Sequence, residues 1–186
     1  YETPYSDRLL DTKKEEMILP VDNKMALWTV VFSPDSNSLA AGSETGEIII
    51  WNLVNQEPEK VLKGHVGSVQ SIAYCPCGGI LASASTDGRV IIWDTNTGSM
   101  QIELEDTGRS VWALAFTTDG RNLLTASPDF TMRLWDLESR TNVWRFSKHP
   151  DSVRAATFTS DNRSLITVSG ANIYKWDIAT NSPDWV

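Results

Sequence analysis

The sequence predicts an all-β fold built from four copies of one small antiparallel sheet. Three observations predict it: a repeat with a period of about 42 residues, short apolar segments rich in β-branched residues, and turn residues between these segments. A period of this length is typical of a supersecondary unit that buries its apolar faces only by stacking against its neighbours.

The repeat is most visible at four tryptophans, which are 42, 42 and 41 residues apart. They are Trp51, Trp93, Trp135 and Trp176, in the segments IIIWN, VIIWD, MRLWD and IYKWD. A second apolar block precedes each of these segments, and its four copies read LWTVVF, VQSIAY, VWALAF and VRAATF. We therefore predict four repeats over residues 15–180, between an N-terminal extension over residues 1–14 and a C-terminal stub over residues 181–186.

Each period contains segments with the chemistry of β-strands. Val, Ile, Thr, Phe and Tyr dominate them, and such residues suit a pleated, half-buried surface. Turn residues separate them, such as Pro34-Asp35 after a first strand and Asp87-Gly88 after a second. A fourth strand is predicted after each of the first three tryptophans, over residues 57–63, 99–105 and 141–147. Four antiparallel strands per period predict one twisted sheet, here called a blade, for each repeat.

Repeat two carries a complete set of signature residues. The set consists of Gly64, His65, Ser85, Asp87, Trp93 and Asp94. On these residues the chain resembles the WD-repeat β-propeller family. The other repeats are partial, since Thr45 stands where Asp87 would be in repeat one and Thr107 stands where His65 would be in repeat three. Repeat four keeps His149 but has a shorter turn that lacks the Asp.

The resemblance implies a structural role for the polar signature residues. In the family, the Asp accepts a hydrogen bond from the His, which contacts a Ser or Thr that meets the indole N–H of the Trp. The predicted network is therefore His65, Ser85, Asp87 and Trp93. Ser83 lies two positions earlier on the same strand face, and the sequence does not distinguish the two hydroxyls.

The same residue types also occur in Ser-His-Asp catalytic triads. A nucleophile needs an exposed hydroxyl and an oxyanion hole, and no nucleophile-elbow sequence of the G-x-S-x-G type is present. Both histidines of the chain, His65 and His149, are used by the structural network. We therefore predict no catalytic residues and no enzyme activity.

Composition restricts the classes of partner. The net charge of −8, from 24 acidic and 16 basic residues, argues against binding to nucleic acid. No apolar run approaches the ~20 residues that span a bilayer, so no membrane partner is expected. Cys75 and Cys77 lack a second Cys or His pair, so no metal site and no cofactor are predicted. Free thiols in a reducing compartment are expected, which predicts a cytoplasmic or nuclear location.

The resemblance also implies where a partner binds. In family propellers, the residue after the leading Val or Leu of each first strand projects at the mouth of the central channel. These residues are Trp28, Gln70, Trp112 and Arg154. The residue directly before the turn Asp, or before its counterpart, also faces this way in each of the first three repeats. These residues are Glu44, Thr86 and Pro128. Trp and Arg are enriched at binding hot spots, so we predict a partner-binding rim; the alternative is that the tryptophans pack at the channel mouth.

The count of strands predicts an incomplete ring. Residues 15–20 align with a fourth strand that would complete the last blade, while residues 177–186 are too few for one. Four blades are few for a closed ring, so we expect a fragment of a longer protein or half of an eight-bladed ring completed by a second copy. The predicted function is a non-catalytic scaffold or adaptor that binds proteins or peptides in a multiprotein complex. The alternative is a module that reads a short, modified or unmodified peptide motif at the channel mouth.

Overall fold

The computed structural model of the chain describes residues 19, 21, 25–105, 110–146, 149–178 and 182–184. Within these residues, sixteen strands form four separate antiparallel sheets and no helix is present. No helix in this part of the chain is long and apolar enough to cross a membrane. The prediction of an all-β fold with four blades of four antiparallel strands is confirmed.

Each blade is formed by four consecutive strands, each paired with the next. The first consists of β1 (Leu27–Phe32), β2 (Ser38–Ser43), β3 (Glu47–Asn52) and β4 (Glu57–Lys63). The second consists of β5 (Val69–Tyr74), β6 (Ile80–Ser85), β7 (Arg89–Asp94) and β8 (Met100–Glu105). The third consists of β9 (Ala113–Phe116), β10 (Asn122–Ala126), β11 (Met132–Asp136) and β12 (Thr141–Phe146). The fourth consists of β13 (Val153–Phe158), β14 (Ser164–Ser169), β15 (Asn172–Asp177) and β16 (Ser182–Asp184).

Apolar side chains on both faces of the inner strands join each blade to the next. Between the first and second blades, Ile48 and Ile50 pack with Leu81, Ile91 and Trp93. Similar cores lie between the second and third blades and between the third and fourth. Because a strand in the middle of such a stack is buried on both faces, its sequence is a nearly continuous apolar run such as IIIW.

The first strands of the blades lie side by side: β1 packs against β5, β5 against β9, and β9 against β13. Among the described residues, no strand of the fourth blade packs against the first blade to a comparable extent. The blades therefore form an open arc, which is the partial propeller that the sequence predicts.

The two ends of the arc expose apolar residues that are buried at the same register in inner blades. In the first blade, Val30 is 62% exposed and Phe32 is 60% exposed. At the matching positions, Ile72 of the second blade is 7% exposed and Phe116 of the third is 8% exposed. At the other end of the arc, Ile173 is 60% exposed. Burial at these positions therefore depends on a neighbouring blade.

The prediction for the last blade was wrong. Residues 182–184 form β16 and pair with the end of β15, with Trp176 opposite Pro183. Three residues are enough to form this fourth strand because β16 pairs only with the last three residues of β15. Of residues 15–20, the structure describes Leu19 alone, which packs on the outer face of the first blade near Trp51. The remainder of that predicted strand lies outside the described residues.

The prediction of free thiols was also wrong. The turn between β5 and β6 brings the Cα atoms of Cys75 and Cys77 to 5.1 Å, and the two sulfurs form a disulfide. Such a Cα separation is within the range that disulfides span. A bond between cysteines two residues apart closes a very tight loop, and the path of the hairpin turn permits it. A reducing compartment therefore no longer follows from the cysteines.

Candidate functional site

Three of the predicted rim residues lie where a first strand bulges. In β1, Leu27 pairs with Ser43 and Thr29 pairs with Gly42, so Trp28 between them has no partner in β2. Gln70 in β5 and Arg154 in β13 occupy the same extra position. A β-bulge interrupts the alternation of side chains and turns the extra side chain in a new direction. The repeat therefore places the same β-bulge near the beginning of the first strand in three of the blades.

Three of the rim residues line one open depression of about 400 Å³: Gln70, Trp112 and Arg154. Trp112 comes immediately before β9, and its backbone N–H donates to the carbonyl of Ala126 at 2.9 Å. Gln70 and Trp112 are half-buried, whereas Arg154 is exposed. Three successive blades converge here because their first strands lie side by side. We call this site the rim depression; whether a partner binds there stays a prediction.

The other four predicted rim residues lie elsewhere. Trp28 is 60% exposed and lines a separate depression of about 460 Å³ on the outer face of the first blade, together with Leu19 and Val21. Glu44, Thr86 and Pro128 lie in the turns after β2, β6 and β10, outside both of these depressions. The structure therefore brings three of the seven predicted residues together.

The rim depression carries one positive charge, from Arg154, beside an oriented carboxamide. Among the described residues, Arg154 forms no ion pair. The side-chain amide of Gln70 donates to Ser68 Oγ at 2.9 Å, which orients the carboxamide. Sequence reasoning did not identify Ser68, because a short hydroxyl in a loop carries no motif. The site thus combines a guanidinium, a carboxamide and an indole face.

The polar signature residues of the second blade form a buried chain of hydrogen bonds. His65 Nδ1 lies 3.0 Å from Asp87 Oδ2, and His65 Nε2 lies 2.8 Å from Ser83 Oγ. The indole N–H of Trp93 donates to the same Ser83 Oγ at 2.8 Å. A carboxylate only accepts, so Nδ1 carries the proton of a neutral imidazole and Nε2 accepts from the Ser83 hydroxyl. The three hydrogen bonds therefore all point in one direction, from Trp93 through Ser83 and His65 to Asp87.

The serine of this network is Ser83, which takes the place that the prediction gave to Ser85. Ser85 Oγ instead accepts from the backbone N–H of Asp87 at 3.1 Å. The reason is distance along the strand. Trp93 pairs with Leu81, so Ser83 is two residues further along the same face and Ser85 is four. At about 3.3 Å per residue, the indole reaches the first hydroxyl and not the second.

Arg89 is a member of the network that sequence reasoning missed. Its guanidinium donates to Asp87 Oδ2 at 3.1 Å and to the carbonyl of Gly64 at 2.6 Å, and it pairs with Glu103. Burial alone would raise the pKa of Asp87, but hydrogen bonds from the backbones of Arg89 and Val66 and the proximity of His65 lower it below its usual value. The ion pair fastens the His65 loop to the tight turn after β6.

Burial separates this network from a catalytic triad. Burial also lowers the pKa of His65, although Asp87 opposes that shift, so the imidazole is neutral near pH 7. Ser83 is fully buried and its hydroxyl is already shared between His65 and Trp93. A substrate has no access to this oxygen, so the arrangement supports the blade instead of activating a nucleophile.

The third and fourth blades carry shorter versions of the network. Thr125 Oγ1 accepts from the Trp135 indole at 3.1 Å, and Thr167 Oγ1 accepts from the Trp176 indole at 2.9 Å. His149 Nε2 lies 3.3 Å from Thr167 Oγ1, while its buried Nδ1 has no hydrogen-bond partner in the described part of the chain. Burial lowers the pKa of His149 to about 4. The shorter turn after β14 supplies no carboxylate to this ring.

Metal-binding clusters are not found within the described ranges, where no group of three or more His, Cys, Asp or Glu side chains could hold an ion.

Comparisons with known proteins give the family. The WD40 model, described as "WD domain, G-beta repeat", matches residues 19–52, 56–94 and 99–136, which is more than half of the chain. Among solved structures, a chain of "Crystal Structure of Mitotic Checkpoint Complex" aligns with a TM-score of 0.81 at 23% identity, covering 88% of this chain and 53% of that one. "Structure of U3-55K" aligns with a TM-score of 0.83 at 21% identity, covering 89% of this chain and 52% of that one.

The alignments also show how much of each solved chain corresponds to this one. The chain spans about half the length of these two solved chains, and likeness at this level of identity shows the fold alone. Together with the repeats and the four sheets, the family match leads to one conclusion. This chain belongs to the WD40 repeat family, and its sheets are four blades of a β-propeller.

Proposed function

We propose that this chain is a non-catalytic scaffold or adaptor that holds other proteins in a multiprotein complex. WD40 propellers are generally protein-interaction platforms, and one similar chain belongs to a structure named as a mitotic checkpoint complex. The observation that carries the proposal is the rim depression. It gathers a Trp and an Arg, the residue types that dominate binding hot spots, while the polar signature residues are buried in a supporting role.

Peptide recognition at the channel mouth is a second candidate. It is favoured because Gln70, Trp112 and Arg154, from three successive blades, converge on one shallow, open depression. A peptide reader takes nearly all of its binding energy from this one depression, whereas a scaffold adds contacts along the blade edges to it. The proposal includes a cytoplasmic or nuclear location, which fractionation of cells that express the tagged protein would test.

An affinity capture with chemical crosslinking and mass spectrometry tests the proposed function. We expect discrete protein partners at near-stoichiometric yield with the wild-type chain. Alanine substitutions at Trp112 and Arg154 should reduce capture, while Val54→Ala, at an exposed apolar residue in the turn after β3, should not. If no partner crosslinks above the level of a heat-unfolded control, the interaction role is wrong. If partners are retained in both rim variants, binding lies on the blade edges and peptide recognition is rejected.

A further inference from the structure

We propose that the rim depression binds a peptide segment that carries a Glu or Asp side chain next to an apolar one. The carboxylate would pair with Arg154, and the apolar side chain would pack on the indole of Trp112. This inference rests on the second candidate function, recognition at the channel mouth, and names the class of peptide.

The charge of the ligand follows from Arg154. The chain has 24 acidic residues, and Arg89 shows how they neutralise a guanidinium, because Asp87 and Glu103 both contact it. Arg154 is exposed and forms no ion pair within the described part of the chain. A planar guanidinium matches a carboxylate through two parallel hydrogen bonds. Arg154 is therefore an accessible cation that a carboxylate of a bound peptide can pair with.

The neighbouring side chains provide contact area and orientation. Trp112 is half-buried, and its backbone is fixed by the hydrogen bond to Ala126. A partly covered indole offers a large rigid surface to an apolar group at little cost in conformational entropy. Gln70 is held by Ser68, so its carboxamide is oriented before a ligand arrives. Pre-organisation of this kind reduces the entropy lost on binding.

The geometry favours a peptide over a small molecule or a nucleic acid. Three side chains line the depression, so it receives one or two groups of a ligand and does not enclose a whole molecule. The remaining binding energy must come from the surrounding face, which an extended chain reaches. Nucleic acid is disfavoured because phosphate binding draws on several cations, and the chain has a net charge of −8.

The test is an array of synthetic nine-residue peptides probed with the fluorescently labelled full chain. Each peptide carries a central Glu flanked by varied apolar and neutral residues, and is matched by two copies in which Gln or Lys replaces the Glu. We expect a set of Glu peptides that bind at least about tenfold more tightly than their Gln partners, with the Lys partners weaker still. An RNA homopolymer serves as the competing anion.

Three variants make the assignment specific. Arg154→Ala should abolish the preference for Glu over Gln, and Arg154→Lys should retain only part of it, because a lysine cannot form the two parallel bonds. Trp112→Ala should weaken the Glu and Gln peptides to the same extent. Arg145→Ala, at an exposed arginine on the outermost strand β12, removes the same charge and should leave every preference unchanged. Circular dichroism spectra matching the wild type would show that all variants are folded.

The outcomes separate this inference from the proposed function. Equal binding of Glu and Gln peptides by the wild type overturns it, and so does a Glu preference that survives in Arg154→Ala. RNA that outcompetes the Glu peptides and loses affinity in Arg154→Ala also overturns it, in favour of nucleic acid. In each of these cases, protein partners found by crosslinking would still support the scaffold.

Discussion

The hydroxyl of Ser83 should contribute far more stability than that of Ser85, although the two residues are close on one strand face and both fully buried. Ser83→Ala leaves the Trp93 indole N–H without its acceptor and His65 Nε2 without its donor. Leaving one buried polar group unpaired costs about 1–3 kcal/mol, so the expected loss is about 3 kcal/mol. Ser85→Ala removes one bond from the Asp87 backbone N–H and should cost about 1 kcal/mol.

Urea and thermal unfolding of the two variants measure this difference. For a chain of this size, about 3 kcal/mol corresponds to a fall in the unfolding temperature of roughly 6–12 °C. The chain supplies its own control, since Thr125 and Thr167 accept the indole in the third and fourth blades. Ser83→Thr should therefore retain most of the stability that Ser83→Ala loses. If Ser85→Ala destabilises the protein as much as Ser83→Ala does, the assignment of the network is refuted.

Three further predictions follow from burial and charge. Asp87→Ala should lower the free energy of unfolding by about 1–3 kcal/mol, because His65 Nδ1–H and the Arg89 guanidinium lose their acceptor; urea denaturation measures this, and an unchanged midpoint would disprove the network. Burial lowers the pKa of His149 from 6.5 to about 4. As the pH falls, this imidazole is therefore protonated at a higher pH in the unfolded chain than in the folded one. Its stabilising contribution, up to about 3 kcal/mol, should be complete above pH 6.5 and lost progressively down to pH 4, and His149→Gln should flatten that part of the stability profile. Phe116→Ala should cost about 3–5 kcal/mol in thermal unfolding while Phe32→Ala costs about 1 kcal/mol or less, and equal losses would show that the first blade is covered.

The arc itself has a physical signature in solution. Val30 and Phe32 leave an apolar face open at one end, and Ile173 does so at the other. Exposed patches of this kind bind hydrophobic dyes or promote association. Light scattering of the chain should therefore show self-association, or dye fluorescence should rise in the folded state. A monomer that binds no dye would contradict the open arc.

The fold was largely predictable because period and patterning are local properties of the sequence. Spacing between tryptophans fixed four blades, and apolar runs such as IIIW indicated strands buried on both faces. What escaped prediction depends on distances across strands. Arg89 reaches Gly64 over 25 positions, and the choice of Ser83 over Ser85 depends on how far an indole extends along a face.

The candidate site was predictable only in part. The family pattern indicated Gln70, Trp112 and Arg154, which the side-by-side packing of β5, β9 and β13 brings to one depression. The same pattern indicated Trp28. Because β1 has a neighbouring first strand on one side only, the indole of Trp28 lines a different depression. No periodicity in the sequence reveals which end of an arc lacks its neighbour.

The central claim is that the rim depression binds a protein partner, while the buried hydrogen-bond network stabilises the blade. Calorimetric titration of the strongest crosslinked partner into the wild type and into Trp112→Ala, with the unfolding temperature of each, tests it most directly. A hot-spot tryptophan contributes about 2 kcal/mol or more, so we predict roughly thirtyfold weaker binding with little change in unfolding temperature. If Trp112→Ala instead unfolds much of the protein while the folded fraction keeps its affinity, the indole is a packing element and the account is wrong.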